Sequence, residues 1–77
     1  MLKKVVEFIV QELVEHPASA RVAEVKDDSR TVLSIHVHEQ DLGKVIGKGG
    51  ETIRAIRSLV IALNADKQRE VVVDIVK

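Results

Sequence analysis

The sequence predicts a single α+β domain over residues 1–77, with helices packed on one face of a three-stranded mixed sheet. Two long segments carry apolar residues at spacings of three and four, which is typical of amphipathic helices. Other segments alternate apolar and polar residues or form short β-branched runs, which is typical of strands. The resulting order is helix, strand, strand, helix, helix, strand. A chain of 77 residues has room for one domain and no more.

The first helix is predicted from Leu2 to Glu15. Its apolar stripe has helical spacing and consists of Leu2, Val5, Val6, Ile9, Leu13 and Val14. Phe8 and Val10 are expected to widen this stripe. The His16-Pro17 pair ends the helix, because the residue before a proline is pushed out of the helical region.

Two strands are predicted next, from Arg21 to Lys26 and from Thr31 to His38, with a polar turn at residues 27–30 between them. The second strand alternates cleanly. One of its faces consists of Thr31, Leu33, Ile35 and Val37, and the other of Val32, Ser34, His36 and His38. Because the connecting turn is short, the two strands are expected to form a hairpin.

The second half of the chain is predicted to form two helices and a strand. A brief helix from Glu39 to Ile46 precedes a glycine-rich break, and a longer helix runs from Glu51 to Asn64. Their inward residues are predicted to be Leu42, Val45 and Ile46 in the first and Ile53, Ile56, Val60 and Leu63 in the second, supported by Ala55, Leu59 and Ala62. The final strand is the β-branched run from Val71 to Val76. A crossover of two helices is long enough for the second and third strands to run parallel.

Composition and charge exclude several functional classes. The chain has 12 basic and 12 acidic residues, so its net charge exerts no global attraction on nucleic acid. It has no cysteine, which excludes a disulfide framework and fits the reducing cytoplasm. No apolar run is long enough to span a membrane, and the acidic residues near the start argue against a signal peptide. A single aromatic residue, Phe8, excludes an aromatic platform for stacking bases.

Glycines concentrate in one loop, where Gly47, Gly49 and Gly50 lie within four positions. A Walker phosphate-binding loop is excluded, because only three residues separate Gly43 from Gly47 and no hydroxyl residue stands where magnesium would need it. A dinucleotide fingerprint is excluded as well, because Thr52 occupies the position of its third glycine. A helix cap needs one glycine, and each glycine costs about 1 kcal/mol in a helix. Three glycines therefore indicate a backbone that a ligand approaches closely.

Positive charge surrounds this loop. The helix that begins near Glu51 offers free N–H groups, and its dipole favours an anion at that end. The basic residues between Gly43 and Arg57 are Lys44, Lys48, Arg54 and Arg57, against one acidic residue, Glu51. Glycines without side chains would let a phosphate backbone reach the N–H groups. A solvated helix face remains the alternative explanation of the two arginines.

The segment from Val45 to Ile53, Val-Ile-Gly-Lys-Gly-Gly-Glu-Thr-Ile, resembles the V-I-G-x-x-G-x-x-I signature of KH domains, and every fixed position matches. The order of elements is similar to the type II KH arrangement that is common in bacteria. The opening helix, the His16-Pro17 break and the segment from Asp41 to Lys48 resemble the small bacterial KhpA (YlqC-like) family. The resemblance covers the whole chain and implies a single type II KH domain that binds single-stranded RNA.

In KH domains the GxxG loop clamps the backbone of about four single-stranded nucleotides. Carried over by position, the resemblance implies that residues 47–50 contact phosphates. It also implies that three flanking apolar residues line a groove beneath the bases, with core packing as the alternative, and that the third strand forms the far wall. The predicted RNA-binding residues are Lys44, Val45, Ile46, Gly47, Lys48, Gly49, Gly50, Ile53, Arg54 and Arg57.

The resemblance further implies an RNA chaperone or post-transcriptional regulator, a complex with a larger KhpB (Jag-like) protein, and a link to cell-shape and cell-wall control. A single groove reads few nucleotides, so a homodimer or heterodimer would raise avidity. Two alternatives stay open. One is a protein–protein module on the same scaffold, which the lysine at the loop tip disfavours. The other is a single-stranded DNA binder, because the loop would contact phosphate rather than the 2′-OH.

No cofactor, metal or catalytic site is predicted. His36 and His38 have a spacing that can ligate a metal, but no third ligand is evident beyond Glu39 or Asp41 nearby. Ordinary surface histidines are therefore expected. No Ser, His and Asp arrangement stands out, and a chain this short encloses little volume for catalysis. The sequence therefore predicts a binding protein and no enzyme.

Overall fold

In a computed structural model that describes residues 1–77, three helices and three strands follow one another in the predicted order. The helices are α1 (Leu2–Leu13), α2 (Leu42–Ile46) and α3 (Glu51–Leu63), and the strands are β1 (Arg21–Lys26), β2 (Arg30–His36) and β3 (Glu70–Ile75). Short 3₁₀ turns lie at Pro17–Ser19, Glu39–Asp41 and Lys48–Gly50. The strand order is β1-β2-β3, with β2 antiparallel to β1 and parallel to β3. The predicted α+β fold with a three-stranded mixed sheet is confirmed.

The helices cover one face of the sheet because the alternation of β2 directs Leu33 and Ile35 towards them, and both side chains are fully buried. The strand register places Val22 of β1 beside Ile35, and Val73 of β3 beside Leu33. These neighbours form a continuous apolar layer across the strands. The complete core consists of Val6, Val10, Ala20, Val22, Leu33, Ile35, Val45, Ile53, Ile56, Val60 and Val73.

The opposite side of the sheet, which we call the open face, carries the alternate side chains of the three strands. Its central row is Val25, Val32 and Val72, which lie side by side across the sheet. Val25 is 64% exposed, whereas Val22, on the inward face of the same strand, is buried. No helix of the structure is both long enough and apolar enough to cross a lipid bilayer.

Element boundaries differ from the predictions where tertiary contacts intervene. Helix α1 ends at Leu13 instead of Glu15, because the backbone N–H of Glu15 turns away to donate to the carboxylate of Asp41. Strand β2 ends at His36, and His38 instead begins the Glu39–Asp41 turn, where its ring accepts a hydrogen bond from the N–H of Gln40. The brief helix predicted from Glu39 is therefore a 3₁₀ turn followed by α2. The bounds of α3 and β3 differ from the predictions by one residue.

Three apolar residues expected on the buried stripes, Phe8, Leu13 and Leu63, lie at the surface, and Leu13 is 37% exposed. Phe8 is 66% exposed, because it is two residues from each of the buried Val6 and Val10 and points to the other side of α1. Leu63 in the last turn of α3 is 39% exposed. The supporting residues Ala55, Leu59 and Ala62 are exposed as well. The buried stripe of α3 is thus narrower than predicted, which leaves more of the helix surface open.

Candidate nucleic-acid interface

The loop between α2 and α3 consists of backbone conformations that favour glycine. Gly47, Gly49 and Gly50 have φ values of 78°, 62° and 78°, and no other residue of the chain has a positive φ. Side chains with a Cβ adopt this region at a steric cost. Lys48 lies within this turn and is exposed. The three glycines therefore give a sharp turn that leads directly into α3.

Each glycine has a different environment. A Cβ on Gly47 would lie 2.7 Å from the backbone N and 2.8 Å from the Cβ of Thr52, so this glycine is required for packing against the first turn of α3. A Cβ on Gly50 would lie 3.1 Å from Nη1 of Arg54. A Cβ on Gly49 would meet no atom within 4 Å. The outer side of the loop at Gly49 is therefore open to a ligand.

The start of α3 offers backbone N–H donors. The residue that precedes the helix is Gly50, so no side chain caps the first turn, and of its N–H groups that of Glu51 donates to the carbonyl of Lys48. Uncapped N–H groups and the positive end of the helix dipole together favour an anion at this position. An open glycine face beside uncapped donors has the geometry required for contact with a phosphate.

Arg54 and Lys48 complete the loop in different ways. Nη1 of Arg54 donates to the backbone carbonyl of Gly49 at 2.7 Å, so the Arg54 side chain folds back and holds the loop in shape. Lys48 makes neither an ion pair nor a side-chain hydrogen bond in the structure, which leaves its ammonium group available to a ligand. Arg54 thus orders the loop, and Lys48 supplies an uncompensated charge at its tip.

The other two predicted basic residues have protein partners. Nζ of Lys44 lies 3.2 Å from a carboxylate oxygen of Glu15, and both side chains are well exposed. Such a surface pair contributes about 0 to 1 kcal/mol and exchanges readily with other partners. Nε of Arg57 donates to the backbone carbonyl of Val73 at 3.0 Å and so connects α3 with β3.

A groove of about 230 Å³ lies between α3 and the outer edge of β3. It is lined by Arg57, Ile61, Val71, Val72, Val73 and Asp74. Past Ile61 and Val71 it adjoins a second hollow of about 260 Å³, to which Lys67 and Arg69 contribute. Gly50, Arg54, Arg57 and Ile61 are spaced by three or four residues, so they form one stripe along α3. This stripe leads from the glycine loop to the groove.

Strand β3 is an edge strand and presents to the groove backbone groups that pair with no other strand. The N–H groups of Glu70 and Val76 donate to the carbonyls of Ser29, just before β2, and Ile35 of β2, so those of the intervening odd-numbered residues point the other way. Val71, Val73 and Ile75 therefore direct their N–H and C=O groups away from the sheet. An edge of this kind can pair with the polar edge of a base.

The structure places the three predicted apolar groove residues differently from one another. Val45 is fully buried and Ile53 is 6% exposed, so both belong to the core. Ile46 is half-buried and packs on the edge of the core. The apolar wall of the observed groove includes Ile61, which is 64% exposed and which the sequence argument missed. The feature of the sequence that could have revealed Ile61 is that it is a large apolar residue outside the buried stripe of α3.

Asp41 is a buried carboxylate that anchors the segment before the loop. It is 1% exposed, and it accepts hydrogen bonds from the backbone N–H groups of Glu15 at 3.1 Å and His16 at 3.0 Å and from Nδ1 of His16 at 3.1 Å. Burial alone would raise the pKa of Asp41, but these hydrogen bonds outweigh it and the pKa is lowered. Asp41 therefore ties the end of α1 to the start of α2.

The ring of His16 also stacks on that of His38, with 4.1 Å between the ring centroids and 16° between the planes. His38 is therefore part of the packing around Asp41 and does not share the open face of the sheet with His36, as the alternation had predicted. No group of three or more His, Cys, Asp or Glu residues in the structure has a geometry that could hold a metal ion.

The contribution of Asp41 to stability should vanish in acid. Since its pKa is lower in the folded state than the usual value of 3.8, its contribution is complete above that value and is lost as the pH falls through the lowered one. We expect the stability difference between the wild type and Asp41→Asn to shrink as the pH falls below about pH 4. Urea unfolding at several pH values measures it. A difference independent of pH down to pH 2 would contradict this assignment.

Comparison with known proteins decides the family. The family model described as "KhpA/KhpB, KH domain" matches residues 3–75. The chain belongs to the KhpA/KhpB family of KH domains.

Curated relatives are similar in sequence to this chain over nearly its full length. The chain is similar to the "RNA-binding protein KhpA" of Halalkalibacterium halodurans, with 43% identity over 97% of this chain and 99% of the relative. The protein of the same name from Bacillus subtilis is 40% identical over 91% of this chain and 86% of its own length. That of Thermotoga maritima is 36% identical over 99% of this chain and 100% of its own. No solved structure matches the chain significantly.

Proposed function

We propose that this protein binds single-stranded RNA, with the backbone held at the GxxG loop and the bases in the groove between α3 and β3. The observation that carries the proposal is the open face of Gly49 beside the uncapped start of α3, with the unpaired ammonium group of Lys48 next to it. Relatives named as RNA-binding proteins support the nature of the ligand.

The stripe along α3 gives the path of the strand. A phosphate at the loop would accept hydrogen bonds from backbone N–H groups in the first turn of α3. It would also contact the ammonium group of Lys48. From Gly50 to Arg57 the helix rises about 10 Å, which is the span of two to three nucleotides. The following bases would then lie over Ile61 and against the edge of β3. Apolar contact and backbone hydrogen bonds replace aromatic stacking in this groove, which suits a chain whose single aromatic residue, Phe8, lies on α1.

The biological role that fits this binding mode is that of an RNA chaperone or post-transcriptional regulator in the cytoplasm, linked to control of cell shape and the cell wall. One groove of this size contacts few nucleotides and binds weakly alone. A homodimer or a heterodimer with a KhpB (Jag-like) protein would supply a second groove and raise avidity.

Salt dependence tests the phosphate contacts. Single strands lose affinity with a slope of about −0.7 per neutralised phosphate on logarithmic axes. With two to three contacts, we expect the affinity for a single-stranded decamer to fall roughly tenfold between 50 and 200 mM salt, measured by fluorescence anisotropy. The matched controls are a DNA decamer of the same sequence and the corresponding RNA duplex. Failure to bind the RNA decamer, tighter binding of the duplex, or affinity independent of salt would contradict the proposal.

A further inference from the structure

We propose that Arg57 sets the base preference of the groove, favouring cytosine and guanine over adenine and uracil. This inference rests on the proposed function, since it assumes that bases of a single strand enter the groove between α3 and β3. It concerns the chemistry of one position in that groove, where Nε of Arg57 donates to the carbonyl of Val73.

The Val73 carbonyl is an acceptor on the exposed edge of β3, within the lining of the groove. A free carbonyl at this place would accept a hydrogen bond from an exocyclic amino group, such as N6 of adenine. In this protein the carbonyl already accepts from Arg57 at 3.0 Å. A base that approaches the strand at this point therefore meets the N–H donors of the guanidinium group and not the carbonyl acceptor of Val73.

The bonded guanidinium keeps four further N–H donors, because Nε uses one of five. Neither ion pair of the structure involves Arg57, so its charge is not neutralised by a carboxylate. The bond to Val73 fixes one side of the planar group, which reduces the entropy lost when a base binds. Arg57 is exposed, so the free side is accessible to a ligand.

Two parallel donors select a base with two adjacent acceptors. Guanine has O6 and N7, and cytosine has O2 and N3. In adenine the N6 amino group stands beside N1 and N7, while N3 has no acceptor next to it on the exposed edges. In uracil the N3–H separates O2 from O4, so neither base offers an adjacent pair of acceptors. Asp74 on the same groove wall adds an acceptor for N4 of cytosine. The chemistry of the site therefore favours cytosine and guanine.

The test uses four RNA decamers of the form U₄N₂U₄, in which both N are A, C, G or U. We expect the wild type to bind the C and G decamers at least about fivefold more tightly than the A and U decamers. Arg57→Met keeps the aliphatic stem and frees the Val73 carbonyl, so the preference should fall below twofold. Arg57→Lys keeps the charge but lacks the planar fork, so its affinity for the C and G decamers should fall to about that for the A and U decamers.

The outcomes separate this inference from the proposed function. If the wild type binds all four decamers equally, or if both variants keep the preference, the inference is overturned while RNA binding stands. If the wild type binds none of them, both fail. Far-UV circular dichroism and thermal unfolding establish that the variants fold. If Arg57→Met is unfolded at the assay temperature, Arg57→Lys alone decides the outcome.

Discussion

Replacing Lys48 and Gly49 together by Asp is expected to weaken binding of single-stranded RNA by about 100-fold. The variant removes the unpaired ammonium group and places two carboxylates where a phosphate would approach the start of α3. Hydrogen bonds to charged groups contribute about 1.5 to 3 kcal/mol each, so the loss of one such contact together with repulsion reaches this size. Fluorescence anisotropy with a labelled decamer measures the change.

The variant should still fold, which makes its effect interpretable. A Cβ on Gly49 meets no atom within 4 Å, and Asp tolerates the left-handed region better than most residues. The control is the double variant Lys48→Gln with Gly49→Asn, which has similar size and no negative charge. We expect this control to bind several-fold more tightly than the Asp variant and to show a shallower salt dependence than the wild type. Unchanged RNA affinity in a folded Asp variant would refute the loop as the phosphate site.

Replacing Asp41 by Ala is expected to lower the melting temperature by about 10 °C. The change leaves three donors without their acceptor, namely the backbone N–H groups of Glu15 and His16 and the ring of His16. These hydrogen bonds are part-buried, so water replaces the lost acceptor only incompletely, and a donor left without a partner costs more than the hydrogen bond it had made. Since Asp41 joins α1 to α2, the glycine loop should also lose part of its support. Differential scanning calorimetry measures the melting temperature.

Asp27→Ala is the matched control for this second prediction. Asp27 also accepts two backbone hydrogen bonds, from Ser29 at 3.0 Å and Arg30 at 2.9 Å, and these bonds lower its pKa. It lies in the exposed hairpin turn, where water can replace the lost acceptor. We therefore expect a decrease of only a few degrees. Equal decreases in melting temperature for Asp27→Ala and Asp41→Ala would contradict the prediction, because burial of Asp41 would then add nothing to the stabilising effect of its hydrogen bonds.

The fold could be predicted because its pattern is local. The alternation of β2 directs Leu33 and Ile35 inward whatever their partners, and the turn that Asp27 caps needs only the next three residues. The two-helix crossover left a parallel pairing of β2 and β3 open, and the structure adopts it. The glycine turn at residues 47–50 could be predicted for the same reason, since its glycines determine their own backbone conformation.

The parts that were missed depend on contacts between distant positions. Asp41 is 25 residues from His16, and Arg57 is 16 residues from Val73. A single sequence shows a carboxylate near a short helix and an arginine on a helix face, but it does not show what each will meet. Ile61 is similar, because its place in the groove follows from how α3 lies beside the edge of β3. These residues shape the surroundings of the loop, whereas the loop itself is a local feature.

The most direct test is a titration of ¹⁵N-labelled protein with a single-stranded RNA decamer, followed by amide chemical shifts. We predict the largest changes at Gly47 to Glu51 and along the odd-numbered residues of β3, with smaller changes along the Arg54, Arg57 and Ile61 stripe. The open face, for example Val25 and Val32, should stay unchanged. Large changes confined to the open face or to α1, with the glycine loop unaffected, would contradict RNA binding through the GxxG loop.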